Sequence, residues 1–256
     1  MVAFILPANS VTGGYDIENS CRFQGNASVE ATSAVLTLAT ASGNTKVGTL
    51  SIWVKRSTLG QNDAFFTSSA DANNLSGLRF NSNDVLDWAS KDGGSENLRF
   101  KTNAVFRDVS AWYHIVLAIN TAESSAGDGF KMWVNGVAQT FGTATYTQDA
   151  TLSFNEASGT MMLGGKQVDT SDYFSGYMAD AYWIDGTQYA ASDFGETDED
   201  SGIWKPKSAS VTFGTNGFKL EFKGTGTSAD SSGIGADTSG NTNHFAVANL
   251  AATDVT

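Results

Sequence analysis

A retaining glycan-cleaving site needs two carboxyl groups roughly 5–5.5 Å apart, commonly on one strand face. Asp180 lies in the strand-like run Tyr177–Ile184, but its neighbours two positions away are Met178 and Tyr182. Glu221 stands between Lys219 and Lys223 with no acidic neighbour on its face. Glu196-Thr197-Asp198-Glu199-Asp200 is an acidic run in a loop bounded by Gly195 and Gly202, the composition of a solvated surface. Nor does a nucleophilic set form. His114 sits mid-strand among apolar residues, as a satisfied core or interface histidine does, and His244 follows Asn243 in a loose segment. Neither has a serine and an acid arranged around it. The pattern predicts a protein that is not an enzyme, with a polysaccharide hydrolase or lyase as the remote alternative.

Binding chemistry is better represented. Asp237, Ser239, Asn241 and Asn243 place oxygen-bearing side chains at alternate positions around Gly240, a spacing able to wrap a hard cation such as Ca2+. One of the four is charged and no bidentate Glu follows, so the segment reads as a weak Ca2+ site or as an Asx-rich turn. No other cofactor is implied. Leu50, Ile52 and Val54 face one way while Ser51, Trp53 and Lys55 face the other; Phe130, Met132 and Val134 likewise oppose Lys131, Trp133 and Asn135. When the aliphatic faces meet in a core, Trp53 and Trp133 lie on the outer side. An indole there stacks on a sugar ring or a protein partner, or lies beneath a covering loop. Tyr182 and Trp183 are further candidates for glycan stacking.

Charge narrows the partners. Fifteen basic against 27 acidic residues give a net charge of −12 and a pI near 4.4, a field that repels nucleic-acid phosphates and anionic membranes. Cys21 is the single cysteine, so no internal disulfide forms, and the residue reads as a small buried hydrophobe. Val2 to Leu6 is apolar but five residues long with no Lys or Arg before it, too short for a secretory or membrane-spanning segment.

The elements that must position these residues are strands. Ala111–Ile119 is rich in β-branched and aromatic side chains and apolar on both faces, as a central strand covered on two sides is. Phe130–Val134 alternates and runs into Asn135-Gly136, a strong hairpin signal. About a dozen such short runs are separated by Gly, Asn, Asp and Ser clusters, among them Thr151–Phe154, Ser210–Phe213 and Gly217–Phe222. No stretch sustains a 3.6-residue apolar period. The expected fold is all-β: a two-sheet antiparallel β-sandwich spanning 21–222, with an irregular N-terminal arm (1–20) and a Gly/Ser-rich C-terminal segment (223–256) packing on the sandwich or on a neighbouring subunit.

Several segments resemble one family in order. Ser20-Cys21-Arg22-Phe23-Gln24-Gly25, Leu50–Arg56, Trp112–Val116, Val134–Val137 and Phe174–Asp180 are similar to successive strands of laminin-G-like, concanavalin A-like jelly rolls. Val105–Ser110, Ile184–Gln188, Ser192–Thr197, Gly202–Lys207, Gly214–Phe218 and Asp237–Asn243 further resemble laminin-G-like proteins of marine tailed bacteriophages and prophages, over Pro7 to Asn249. The resemblance implies a non-enzymatic virion structural protein, a capsid decoration, knob or tail appendage, whose partners are other virion proteins. A homotrimer fits the three-fold symmetry of such appendages. The alternative it leaves open is a host-attachment adhesin that binds surface glycans.

Overall fold

The computed structural model describes residues 14–25, 32–166 and 172–256. Of the expected N-terminal arm, residues 1–13 lie outside the described residues, and 14–20 carry no regular element. Two large antiparallel sheets face each other. The seven-stranded sheet runs β1 (Cys21–Phe23), β13 (Gly176–Asp185), β3 (Val47–Arg56), β8 (Tyr113–Asn120), β9 (Phe130–Val134), β10 (Val137–Ala138), with β16 (Phe218–Leu220) also paired to β13. The eight-stranded sheet runs β11 (Phe141–Tyr146), β7 (Ser95–Thr102), β6 (Leu86–Asp92), β5 (Leu75–Phe80), β4 (Asp63–Ser69), β12 (Thr160–Leu163), β2 (Val35–Ala39), β17 (Ala246–Ala248). β14 (Gly195–Thr197) and β15 (Trp204–Pro206) form a separate hairpin.

Period-two alternation decides which side chains meet. Leu50, Ile52 and Val54 are fully buried and share one core with Leu78, Phe80, Trp88, Leu98 and Phe100 of the facing sheet. Aromatic rings lock the layers: Phe100 stacks on Phe130 at 3.7 Å, and Phe154 lies between Phe66 at 4.5 Å and Trp183 at 4.7 Å. Each such ring contributes about 1.5–3 kcal/mol by leaving water. Asn135 and Gly136 take positive φ of 48° and 76°, the geometry that turns β9 into β10.

β8 is covered twice, as its two apolar faces require. Ile115, Leu117 and Ile119 join the central core, while Val116 joins a second cluster with Tyr182, Ile184, Ala191 and Phe194. Residues 187–213, including the β14–β15 hairpin, supply that outer cover. Two expected strands are absent: Thr151–Phe154 tightens into a 3-10 turn, Ser153–Asn155, that drives Phe154 into the core, and 210–213 is cover without ladder pairing. Residues 223–256 lie on the sandwich. They donate β17 to the eight-stranded sheet, bury Ile234 and Phe245 completely, and exchange backbone hydrogen bonds between Ser20 and Thr256 at 2.7 and 2.9 Å.

Candidate functional site

On the solvent side of the eight-stranded sheet, the residues between the core positions define a groove. Gly77 of β5 pairs with Ala89 of β6, and Ala89 pairs with Arg99 of β7, so two small residues lie side by side. Gly77 leaves the floor open: a Cβ there would stand 2.8 Å from Thr67 Cγ2. The resulting cavity holds about 210 Å3. Its walls are charged. The Asp87 carboxylate, 1% exposed, takes Arg99 through Nε at 2.6 Å and Nη2 at 2.6 Å, and Arg79 through Nη2 at 3.3 Å. Arg79 Nη1 reaches Asp172 at 2.7 Å and Arg99 Nη1 reaches Glu96 at 2.8 Å. Asp87 Oδ2 thus accepts from both guanidinium groups, and the second carboxylates, Asp172 on Arg79 and Glu96 on Arg99, hold each one in place along the groove. With Lys91 and Lys166, four cationic side chains face Asp87, Glu96 and Asp172 among the described residues. Sequence reasoning missed this site. Its signal was the small-and-charged alternation Gly77-x-Arg79, Asp87-x-Ala89-x-Lys91 and Arg99-x-Lys101, which strand register brings together.

The outer face of the seven-stranded sheet carries the tryptophans. Trp53 stacks on His114 with ring centroids 4.6 Å apart and planes 12° apart. His114 is buried; its Nδ1 accepts a hydrogen bond from Trp204 Nε1 at 2.8 Å, and its Nε2 lies 2.9 Å from Ser51 Oγ. An indole N–H only donates, so the neutral ring carries its proton on Nε2 and donates to Ser51. Burial pushes His114 down from the ordinary 6.5 to about 3.

The other stacking candidates are corrected. Trp183 is fully buried, donates to Asn155 Oδ1 at 3.2 Å and packs on Phe154 and Phe66, so it offers no face to a ligand. Tyr182, 3% exposed, lies between Phe194 and Phe213 of the cover. Adjacent strand residues point to opposite faces, so one joins the core and the other the cover. Trp133 is half-buried against that same cover, while Trp53 stays in an open cleft with Trp112 and Trp204.

Asp180 and Glu221, which the sequence kept apart, line one cavity of about 200 Å3 because β16 pairs with β13. Asp180 sits in a β-bulge at φ 45°. Burial pushes its carboxyl up from 3.8 to about 6, against a 2.9 Å hydrogen bond from Tyr15 Oη. Glu221 is partly desolvated, which works to raise it, but hydrogen bonding to Lys219 at 3.0 Å and the field of that ammonium hold it below its ordinary value. Both carboxyls are engaged by protein donors, and Tyr15 covers the more buried one.

Asp237, Ser239, Asn241 and Asn243 do converge, as a turn satisfied from within. Asp237 Oδ1 accepts from the backbone N–H groups of Lys219 and Ser239; Oδ2 accepts from Ser239 Oγ and the Asn243 N–H, all within 2.8–2.9 Å. The Asn241 and Asn243 amides donate to the carbonyls of Gly214, Thr215 and Gly217. This is the Asx-rich turn, fastening the C-terminal segment to β16. Among the described residues no group of three or more His, Cys, Asp or Glu side chains is set to hold a metal ion.

The two facing antiparallel sheets define a concanavalin A-like jelly roll. The chain belongs to the concanavalin A-like lectin/glucanases superfamily, whose laminin G-like family model matches residues 23–192. The comparison with curated proteins returns no match. Similar solved structures include a SAP-like pentraxin from Limulus polyphemus (15% identity, TM-score 0.49, 66% of this chain and 77% of that one). Domain 4 of the arabinanase AbnA from Geobacillus stearothermophilus, in complex with arabinotriose, is another (16%, 0.44, 69% and 82%). A third is the sialidase CBM40 of Ruminococcus gnavus bound to α2,3-sialyllactose (12%, 0.40, 56% and 87%). These likenesses are of fold.

Proposed function

We propose that this chain is a non-catalytic carbohydrate-binding domain whose groove on the eight-stranded sheet takes an acidic glycan. The observation that carries the reading is the buried Asp87 holding Arg79 and Arg99 over a floor of Gly77 and Ala89. Planar guanidinium groups held in place suit the hydroxyl pairs and carboxylates of a uronic acid, and the small floor admits a ring. In a chain of net charge −12, the described residues lining this groove include one more cationic than acidic side chain, which favours an anionic ligand locally. The two carboxyls at Asp180 and Glu221 are engaged by Tyr15, Lys219 and Lys223, which supports binding without hydrolysis.

Isothermal titration with trigalacturonate tests it. Binding is expected in the wild-type chain and abolished by Ala89→Leu, which fills the trough from a half-exposed position without entering the core. Equal affinity in that variant would refute the assignment. Display on a virion is the finer part of the proposal, supported by the motifs from Val105 to Asn243. Absence of the polypeptide from purified particles would reject that part alone.

A further inference from the structure

Beyond the charged groove, we propose a second ligand site on the opposite sheet: the cleft between Trp53, Trp112 and Trp204 binds the apolar face of a neutral hexopyranose. The cleft comprises two adjoining cavities of about 370 and 510 Å3 that share Trp53 and Trp112, with Trp204 closing the larger one. Volumes of this order are those of small-molecule sites.

What distinguishes the cleft from an ordinary apolar dimple is how its rings are held. Trp53 lies flat on His114 at 4.6 Å, and Trp204 donates to the same imidazole at 2.8 Å. His114 is itself only 1% exposed and anchored by Ser51 at 2.9 Å. A buried polar side chain thus sets two indoles that remain half-exposed. Two glycines complete the fixture. A Cβ on Gly136 would meet the Trp204 ring at 2.4 Å and one on Gly195 at 2.5 Å, so the indole lies in a slot that only these residues leave open. Gly136 is also one of the two positive-φ residues of the hairpin turn, so the turn that closes β9 onto β10 forms part of the slot. Rings fixed in advance lose little freedom on binding, which is the condition for a recognition surface.

The lining selects the ligand class. Among the described residues bordering the cleft, Glu18 is the one charged side chain, in a chain of net charge −12. Apart from Glu18 this is an aromatic lining rimmed by Asn19, Asn135 and Thr197, which fits a ring with one C–H face and hydroxyls at its edge. It offers nothing to a carboxylate or a phosphate. Val137 and Ile203, 65% and 66% exposed, extend the apolar margin beside Trp204 and make room for more than one sugar.

The test is tryptophan fluorescence of the full chain titrated with cellotetraose, laminaritetraose, mannotetraose and, as the anionic control, trigalacturonate. At least one neutral tetraose is expected to shift and saturate the emission. Trp112→Ala or Trp53→Ala is expected to weaken that affinity about tenfold by removing one stacking face. Trp204→Phe, which fills the slot but cannot donate to His114, is expected to weaken it less. Ala89→Leu in the charged groove leaves it unchanged, so failure here and failure of the acidic-glycan site are read separately. No response to any of the three neutral sugars overturns the proposal, as does a response that survives both alanine variants. Sedimentation showing a wild-type dimer dispersed by Trp112→Ala also overturns it, because the cleft is then covered by a second copy.

Discussion

Replacing His114 by Gln should convert a protein that weakens in acid at this site into one that does not. The imidazole is buried and its pKa falls from 6.5 to about 3. The unfolded chain therefore binds a proton between those values that the folded chain refuses. This site's contribution is intact above pH 6.5 and is lost progressively as pH falls toward 3. At roughly 1.4 kcal/mol per pH unit, the wild type loses about 3 kcal/mol at this site between pH 7.5 and 4. At neutral pH the variant pays for disturbing the bonds to Ser51 and Trp204, about 1–3 kcal/mol for the polar groups left unmatched. The two stabilities should cross near about pH 5 and the variant should lead below it.

Asp180 works in the opposite sense. Its folded pKa is raised from 3.8 to about 6, so the folded state keeps a proton that the unfolded state gives up. That contribution is full below pH 3.8 and is lost as pH rises through 6, by about 3 kcal/mol. In the wild type the two slopes offset each other between pH 4 and 6, and single variants separate them. Urea midpoints measured from pH 7.5 to 4 on wild type, His114→Gln and Asp180→Asn give the differences directly. A stability difference between wild type and His114→Gln that stays constant across that range would refute the buried, neutral imidazole.

Other outcomes follow from the same geometry. Trp183→Ala should cost about 3–5 kcal/mol by opening the core beside Phe66 and Phe154, while leaving sugar titrations unchanged in the folded fraction. Because Asp237 already accepts four protein hydrogen bonds, the melting temperature should be the same in millimolar Ca2+ and in EDTA; a rise with Ca2+ that Asp237→Asn removes would restore the cation site. Reducing-end assays on acidic and neutral polysaccharides should show no cleavage, and cleavage abolished by Asp180→Asn would make Asp180 and Glu221 an acid–base pair.

Much of the fold was legible because a period of two says which face a residue takes. Leu50, Ile52 and Val54 against Trp53, and Phe130, Met132 and Val134 against Trp133, fall where their alternation puts them, and Asn135-Gly136 turns as its positive φ preference demands. β11 was invisible because, between Phe141 and Tyr146 that lean on the core, this edge strand is the small, exposed run Gly142-Thr143-Ala144-Thr145, with no apolar alternation to mark it. The site was less legible than the fold. Trp53 lies on the outer face as its alternation indicates, but its neighbours in the cleft, Trp112 and Trp204, come from distant segments that only the cover over the seven-stranded sheet brings together. Gly77, Asp87 and Arg99 become neighbours through strand register, which composition does not encode. Tyr182 and Trp183 looked alike as aromatic residues. Their fates diverged because one face of β13 meets the core and the other meets residues 187–213.

The groove on the eight-stranded sheet is tested most directly by an amide NMR titration of the full chain with trigalacturonate. Shifts concentrated at Gly77, Ala89, Lys91 and Arg99 are the predicted result. A spectrum that does not move there, or moves only at residues remote from Asp87, would contradict it.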